Sequence, residues 1–297
     1  MMKTRPFHGR PTEDTCTMKI DLIALDLDGT FIRSDGTVSD RNLRAVRRAA
    51  EAGVRVVVAS GRIRGDAASF REIVDPYSPT ITANGAAVIN GALDRPLLSR
   101  TVSPEAAERT VSLIHRFGVA CHAYLDGSVV MERDSPVLKW YRHRSAALPE
   151  RFRFQVIETE DLLEWLSGPD NPRSLMPEKI MTVEYDPERM EKLASALQAV
   201  DGISLTGSSR TNREILGEGV SKGAALGFLC GKFGIPPSRV MAIGDNENDL
   251  SMLEFAGIPV AMGNAPDAVK AAARHVTARN DEDGVAHAIE AVLEGSL

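Results

Sequence analysis

The feature that most constrains this chain is the run Ile20-Asp21-Leu22-Ile23-Ala24-Leu25, which breaks off into Asp26-Leu27-Asp28-Gly29-Thr30. So apolar a stretch reads as a strand covered on both faces, as in the middle of a parallel sheet. In open α/β sheets the ligand crevice lies beyond the carboxyl ends of the strands. Asp26 and Asp28 therefore fall where chemistry is done. One could attack a phosphoryl group, and both could help hold a divalent cation. The bland alternative is a strand that ends in a polar turn, since Asp and Gly are common turn residues.

The pattern repeats along the chain. Ser39 caps a helix that Gly53 closes, and the strand 54–59 that follows ends in Ser60-Gly61-Arg62. A helix over 66–74, closed by Pro76, leads to the strand 80–83, which ends in Asn84-Gly85. Strand–helix–strand order of this kind builds a parallel sheet with right-handed crossovers. The middle of the chain changes character. Asn90-Gly91 and Asp126-Gly127 sit between short apolar runs as hairpin turns, and helices are expected near 104–117, 137–147, 160–166 and 187–200. The Gly168-to-Pro172 cluster reads as a loop. From Arg213 the first style returns: a helix over 221–233, then Val240-Met241-Ala242-Ile243 running into Gly244-Asp245-Asn246-Glu247-Asn248-Asp249. The predicted fold is α/β, a parallel-sheet core (18–100 and 208–297) with an inserted α+β cap (101–207), behind a disordered tail (1–17).

Composition narrows the partners. A length of 297 residues suits one large domain or two ordinary ones, and a net charge of −6 gives no cause to expect nucleic acid or an anionic membrane. An anionic substrate then needs a cation or a few placed basic groups. Cys16, Cys121 and Cys230 have no metal-ligand spacing and read as free thiols in a reducing compartment. No apolar run approaches the roughly 20 residues of a membrane helix. The first residues lack a secretory core, and Met18 is a candidate start; the expected setting is the cytoplasm, as a monomer or weak homodimer.

Phosphoryl transfer needs a nucleophile, an acid–base group, a metal and donors for the nonbridging oxygens. Asp26, Asp28 and Asp245 with Asp249 supply acidic positions for Mg²⁺, a hard ion that prefers oxygen ligands. Ser60, Lys222 and the amides after Asp26 are donors for phosphate oxygens. Ser60 has a second reading as a helix cap, Lys222 as a solvated lysine, and Arg62 either contacts substrate or simply pairs with a surface carboxylate. Asn84-Gly85 is a turn first and a wall of the site second. His122, Tyr124, Asp126 and Lys179 are candidate substrate contacts from the cap.

These segments resemble the haloacid dehalogenase superfamily, specifically the Cof-like phosphatases of subfamily IIB with a C2B cap. Asp26-Leu27-Asp28-Gly29-Thr30 is similar to the first motif, Ser60-Gly61-Arg62 to the second, and Gly219-Val220-Ser221-Lys222-Gly223 to the third. Gly244 to Asp249 with Met252-Leu253 is similar to the fourth. Ala261-Met262-Gly263-Asn264-Ala265 and Asn280-x-Glu282-Asp283-Gly284 resemble the group's C-terminal signatures. The resemblance implies a Rossmann-like core and a Mg²⁺-dependent phosphomonoesterase acting on a small phosphorylated metabolite such as a sugar phosphate. It implies Asp26 as nucleophile, Asp28 as acid and then base, and Asp26, the Asp28 carbonyl and Asp245 as metal ligands. Asp249 would support the metal or orient Lys222. Ser60, Gly61, Arg62, Lys222 and Asn248 would receive the phosphate. A phosphomutase of the phosphomannomutase type, or a non-catalytic phosphometabolite sensor, are the alternatives.

Overall fold

The computed structural model describes residues 20–90, 96–171 and 175–297. The tail expected over 1–17 with Cys16, the start at Met18, Gly91 of the expected turn and the end of the Gly168-to-Pro172 loop lie outside the described residues. Core strands and helices alternate from the start: β1 (Leu22–Leu25), α1 (Asp40–Glu51), β2 (Arg55–Ala59), α2 (Arg64–Val74) and β3 (Pro79–Thr82). Strands β4 (Ala87–Asn90) and β5 (Leu98–Ser99) then fold back antiparallel. Ser39 caps α1 as its sequence suggests, its hydroxyl accepting the Asn42 amide.

The chain next builds a second sheet. It runs through α3 (Pro104–Arg116), β6 (Cys121–Leu125), β7 (Ser128–Glu132), α4 (Leu138–Ala147), β8 (Val156–Thr159) and α5 (Leu162–Ser167). It continues with β9 (Lys179–Val183), α6 (Pro187–Leu197), β10 (Ile203–Thr206) and β11 (Asn212–Gly217). The first sheet resumes with α7 (Lys222–Phe233), β12 (Val240–Gly244), α8 (Leu250–Phe255), β13 (Ile258–Ala261), α9 (Asp267–Ala272), β14 (His275–Val276) and α10 (Gly284–Leu293).

The core sheet has the order β14-β13-β12-β1-β2-β3-β4-β5, parallel from β14 to β3. Successive residues of a strand face opposite sides of the sheet. Ile23 and Leu25 pack into the layer that includes Val46 of α1 and Ile289 of α10. Leu22 and Ala24 pack into the layer that includes Leu226 of α7 and Met252 of α8. This two-sided burial is why β1 is apolar throughout. Leu25 stands beside Ile243 of β12 and Val58 of β2, so these three strands stop together and Asp26, Asp245 and Ser60 emerge at one edge.

The cap sheet has the order β10-β11-β9-β6-β7-β8 and is antiparallel except between β7 and β8. Sequence alone assigned the chain from residue 208 to the core, yet β11 pairs with β10 and β9, so cap strands run to Gly217. The small, polar Gly207-Ser208-Ser209 lies in the turn between β10 and β11. Strand β8 was not expected either. The two crossings touch, because a Cβ on Gly217 would stand 2.6 Å from the Thr101 carbonyl oxygen. Ile63 and Ala83 of the core pack with Leu148 and Phe152 of the cap in one apolar cluster, which holds the cap over the core.

Candidate active site

The site grows from the ends of β1, β12 and β2 and from the first turn of α7. Lys222 opens α7, whose start Ser221 caps by accepting the Ala224 amide. Its ammonium is fully buried and donates to Asp26 Oδ1 and to Asp249 Oδ1, each at 2.6 Å. Burial alone would lower the lysine's pKa, but Asp249 and Asp26 outweigh it and hold the proton on. Burial and the charge of Asp249 push Asp26 well above the ordinary carboxylate range, against the pull of Lys222. Asp245 is pushed up to about 7 by burial and Asp249. Carboxylates crowded this way, with one lysine among them, call for a further cation. One oxygen each of Asp26, Asp245 and Asp249 lie within 4.8 Å of one another.

The carboxylates differ in what already holds them. Asp249 gives one oxygen to Lys222 and the other to the amides of Asp245 and Asn246, at 2.9 and 3.0 Å. Asp245 Oδ1 accepts from the Thr30 hydroxyl at 2.9 Å. Gly29 must be glycine: its φ is +80° and a Cβ would run into the Asp245 carboxylate. The amide of Asn264 donates to the Gly29 carbonyl at 2.8 Å, and Asn280 donates to Asn264 Oδ1 and to the Ile32 carbonyl. The C-terminal signature residues thus brace the loop that carries Asp28.

The Asp28 side chain is more than half exposed. Arg62 grips it with Nε at 2.8 Å from Oδ2 and Nη2 at 2.5 Å from Oδ1. Burial would raise its pKa, but these bonds hold it below the usual range. Arg62 also reaches Asp66, which Arg144 of the cap grips in turn. Ser60 is buried, and its hydroxyl accepts the Arg62 amide at 3.1 Å. Asn248 donates to Asn84 Oδ1 at 3.1 Å, and Asn84 donates to the buried Glu214 of β11. Ala83 and Asn84 both carry positive φ, a strained turn pressed against the site.

A cavity of about 390 Å³ opens above these groups, with Asp26, Asp28, Gly61, Arg62 and Asn248 on its core side. Tyr124, Trp140, Tyr141, Lys179, Met181 and Tyr185 are among its cap walls. Of the four cap candidates, Tyr124 and Lys179 line the cavity. His122 is buried against the Tyr141 hydroxyl, its pKa lowered to about 3 by burial and Lys179. Asp126 pairs with Arg64 instead. Lys179 donates to the Gly61 carbonyl and to Glu214, each at 2.7 Å. Asp66, Arg144 and Glu214 escaped sequence reading, since a lone charge on a helix or strand reads as solvated surface.

The family described as haloacid dehalogenase-like hydrolase matches residues 23–289. This chain belongs to that family. The hydrolase is 32% identical to the 5-amino-6-(5-phospho-D-ribitylamino)uracil phosphatase YcsE of Bacillus subtilis, over 91% of this chain and 94% of that protein. It is 31% identical to Phosphatase YwpJ of the same organism, over 92% and 99%. A solved haloacid dehalogenase-like hydrolase from B. subtilis superposes with a TM-score of 0.80 at 29% identity, covering 91% of this chain and 99% of that one. The hydrolase is a phosphatase with a parallel-sheet core and a cap. Among the described residues, no helix is long and apolar enough to cross a membrane.

Proposed function

We propose that the hydrolase is a Mg²⁺-dependent phosphomonoesterase of a small phosphorylated metabolite, working through an aspartyl-phosphate on Asp26. The observation that carries this reading is the buried Lys222 ammonium shared between Asp26 and Asp249 at the edge of a capped cavity. An Asp26 oxygen attacks phosphorus as the bond to the leaving alcohol breaks, and Asp28 gives that alkoxide its proton. Asp28 then takes a proton from water as the water oxygen bonds to phosphorus and the bond to Asp26 breaks. Arg62 has to release Asp28 in the first half, because a carboxylate gripped on both oxygens carries no proton to give.

The acidic cluster suits Mg²⁺. Asp249 has both oxygens engaged by Lys222 and amides, which supports Asp26, the Asp28 carbonyl and Asp245 as the holders and Asp249 as the residue that orients Lys222. When bound, the ion supplies positive charge that offsets repulsion between Asp26 and the phosphate dianion. Lys222, Asn248, Arg62, Gly61 and Ser60 are the proposed phosphate-binding set. The aromatic cap walls favour a leaving group with a planar ring on its polyol or sugar chain. The substrate in the name of YcsE, 5-amino-6-(5-phospho-D-ribitylamino)uracil, is therefore the first ester to assay.

Phosphate release from that ester and from p-nitrophenyl phosphate is the test, with Mg²⁺ or EDTA and with Asp26→Asn. Activity only with metal and only with Asp26 supports the reading. An active Asp26→Asn overturns the nucleophile, and isomerisation of a hexose 1-phosphate without phosphate release points to a mutase.

A further inference from the structure

A chain of paired charges leads from the cap to Asp28. Arg144 lies on α4, in the cap, and its Nε and Nη2 stand 2.9 and 2.5 Å from the two oxygens of Asp66 on α2. Arg62 Nη1 stands 3.0 and 3.1 Å from the same two oxygens, while its Nε and Nη2 hold Asp28. Asp66 is thus clamped between two guanidinium groups, and its side chain is only 4% exposed. Both guanidinium groups lie over the ring of Phe70, at 5.0 and 5.8 Å from its centroid. Charges alternate along the chain, and paired two-point grips fix direction as well as distance.

We infer that Arg144 is a positioning residue for the hydrolytic half of the reaction: when the cap is docked it fixes Asp66, Asp66 fixes Arg62, and Arg62 holds Asp28 as an acceptor aimed into the cavity. A carboxylate with both oxygens held by a guanidinium fork accepts hydrogen bonds and donates none. That is the form needed to take the proton from the attacking water. In this form water attacks phosphorus, its proton passes to Asp28, and the bond from phosphorus to Asp26 breaks. Lifting the cap removes Arg144 from Asp66, so in the hydrolytic half the element that covers the cavity also sets Asp28. The inference rests on the phosphatase reading above.

The test separates the two halves of turnover with p-nitrophenyl phosphate, whose stabilised leaving group departs without a donated proton. Here kcat/KM reports formation of the aspartyl-phosphate, and kcat includes its hydrolysis. Arg144→Gln is expected to lower kcat by roughly ten- to a hundredfold, with a much smaller change in kcat/KM. Rapid mixing should then show a burst of p-nitrophenol approaching one equivalent per enzyme, with slow release afterwards. Asp66→Asn should repeat the pattern, and Arg144→Lys should recover part of kcat. If kcat and kcat/KM fall together without a burst in both variants, or neither changes, the inference is overturned while the phosphatase reading stands. Wild type that hydrolyses neither this ester nor any sugar phosphate overturns both.

Discussion

Lys222 stands between two buried carboxylates and serves each as the other's screen. Removing one member of a buried ion pair leaves uncompensated charge, at a typical cost of about 3–5 kcal/mol. Lys222→Met should lose stability on that scale in urea unfolding, together with activity, and lowering the pH should restore part of the stability as the carboxylates take up protons. Gly29 makes a different demand. With φ at +80° and the Asp245 carboxylate against its face, Gly29→Ala is expected to cost about 1–3 kcal/mol and to weaken Mg²⁺ binding, measurable by titration calorimetry. An unchanged affinity would mean that Asp245 takes no part in holding the ion.

At the scale of elements, the core was legible because its strands are buried on both faces and end abruptly in polar residues. That pattern marked β1, β2, β3 and β12 and the group of Asp26, Ser60, Asp245 and Asp249 at their ends. Neither β11 nor β8 was legible. Gly207-Ser208-Ser209 has the composition of a linker, and the four residues of β8 are each only half-buried. Asp66 and Arg144 stayed hidden for another reason: they are 78 positions apart, and only the docked cap brings them together. Arg62, expected to contact substrate or to pair with a surface carboxylate, instead joins Asp28 to the buried Asp66.

The start of β9 carries a further prediction. Glu178, just before it, has its pKa pushed up to about 7 by burial and by Asp126, against the pull of Arg64. A carboxyl that binds its proton more tightly when folded lends stability at low pH. That contribution fades as pH rises from the ordinary glutamate range through 7. Between pH 6 and 8 the Tm of wild type should fall more than that of Glu178→Gln; parallel profiles would remove Glu178 from the account.

For the whole molecule, the contact between cap and core is both apolar and ionic. Phe152 and Leu148 pack with Ile63 and Ala83, while Arg64–Asp126, Arg144–Asp66 and Arg151–Glu72 pair charges across the same seam. The more exposed Arg64–Asp126 and Arg151–Glu72 pairs contribute little, which leaves docking to the apolar cluster and the buried Arg144–Asp66 pair. Truncating a buried phenylalanine costs about 3–5 kcal/mol. Phe152→Ala is expected to loosen the cap, raising KM several-fold and enlarging the radius of gyration in small-angle scattering. A rise in neither quantity would assign docking to the ion pairs.

The contact between Thr101 and Gly217 has a wider consequence. A unit whose entry and exit lie side by side can be lifted out as a cassette, because the host strands need no rearrangement to close behind it. Recombination at this joint would let one chemical engine acquire a succession of lids, each choosing a different ester, while the strand ends beneath stay as they are.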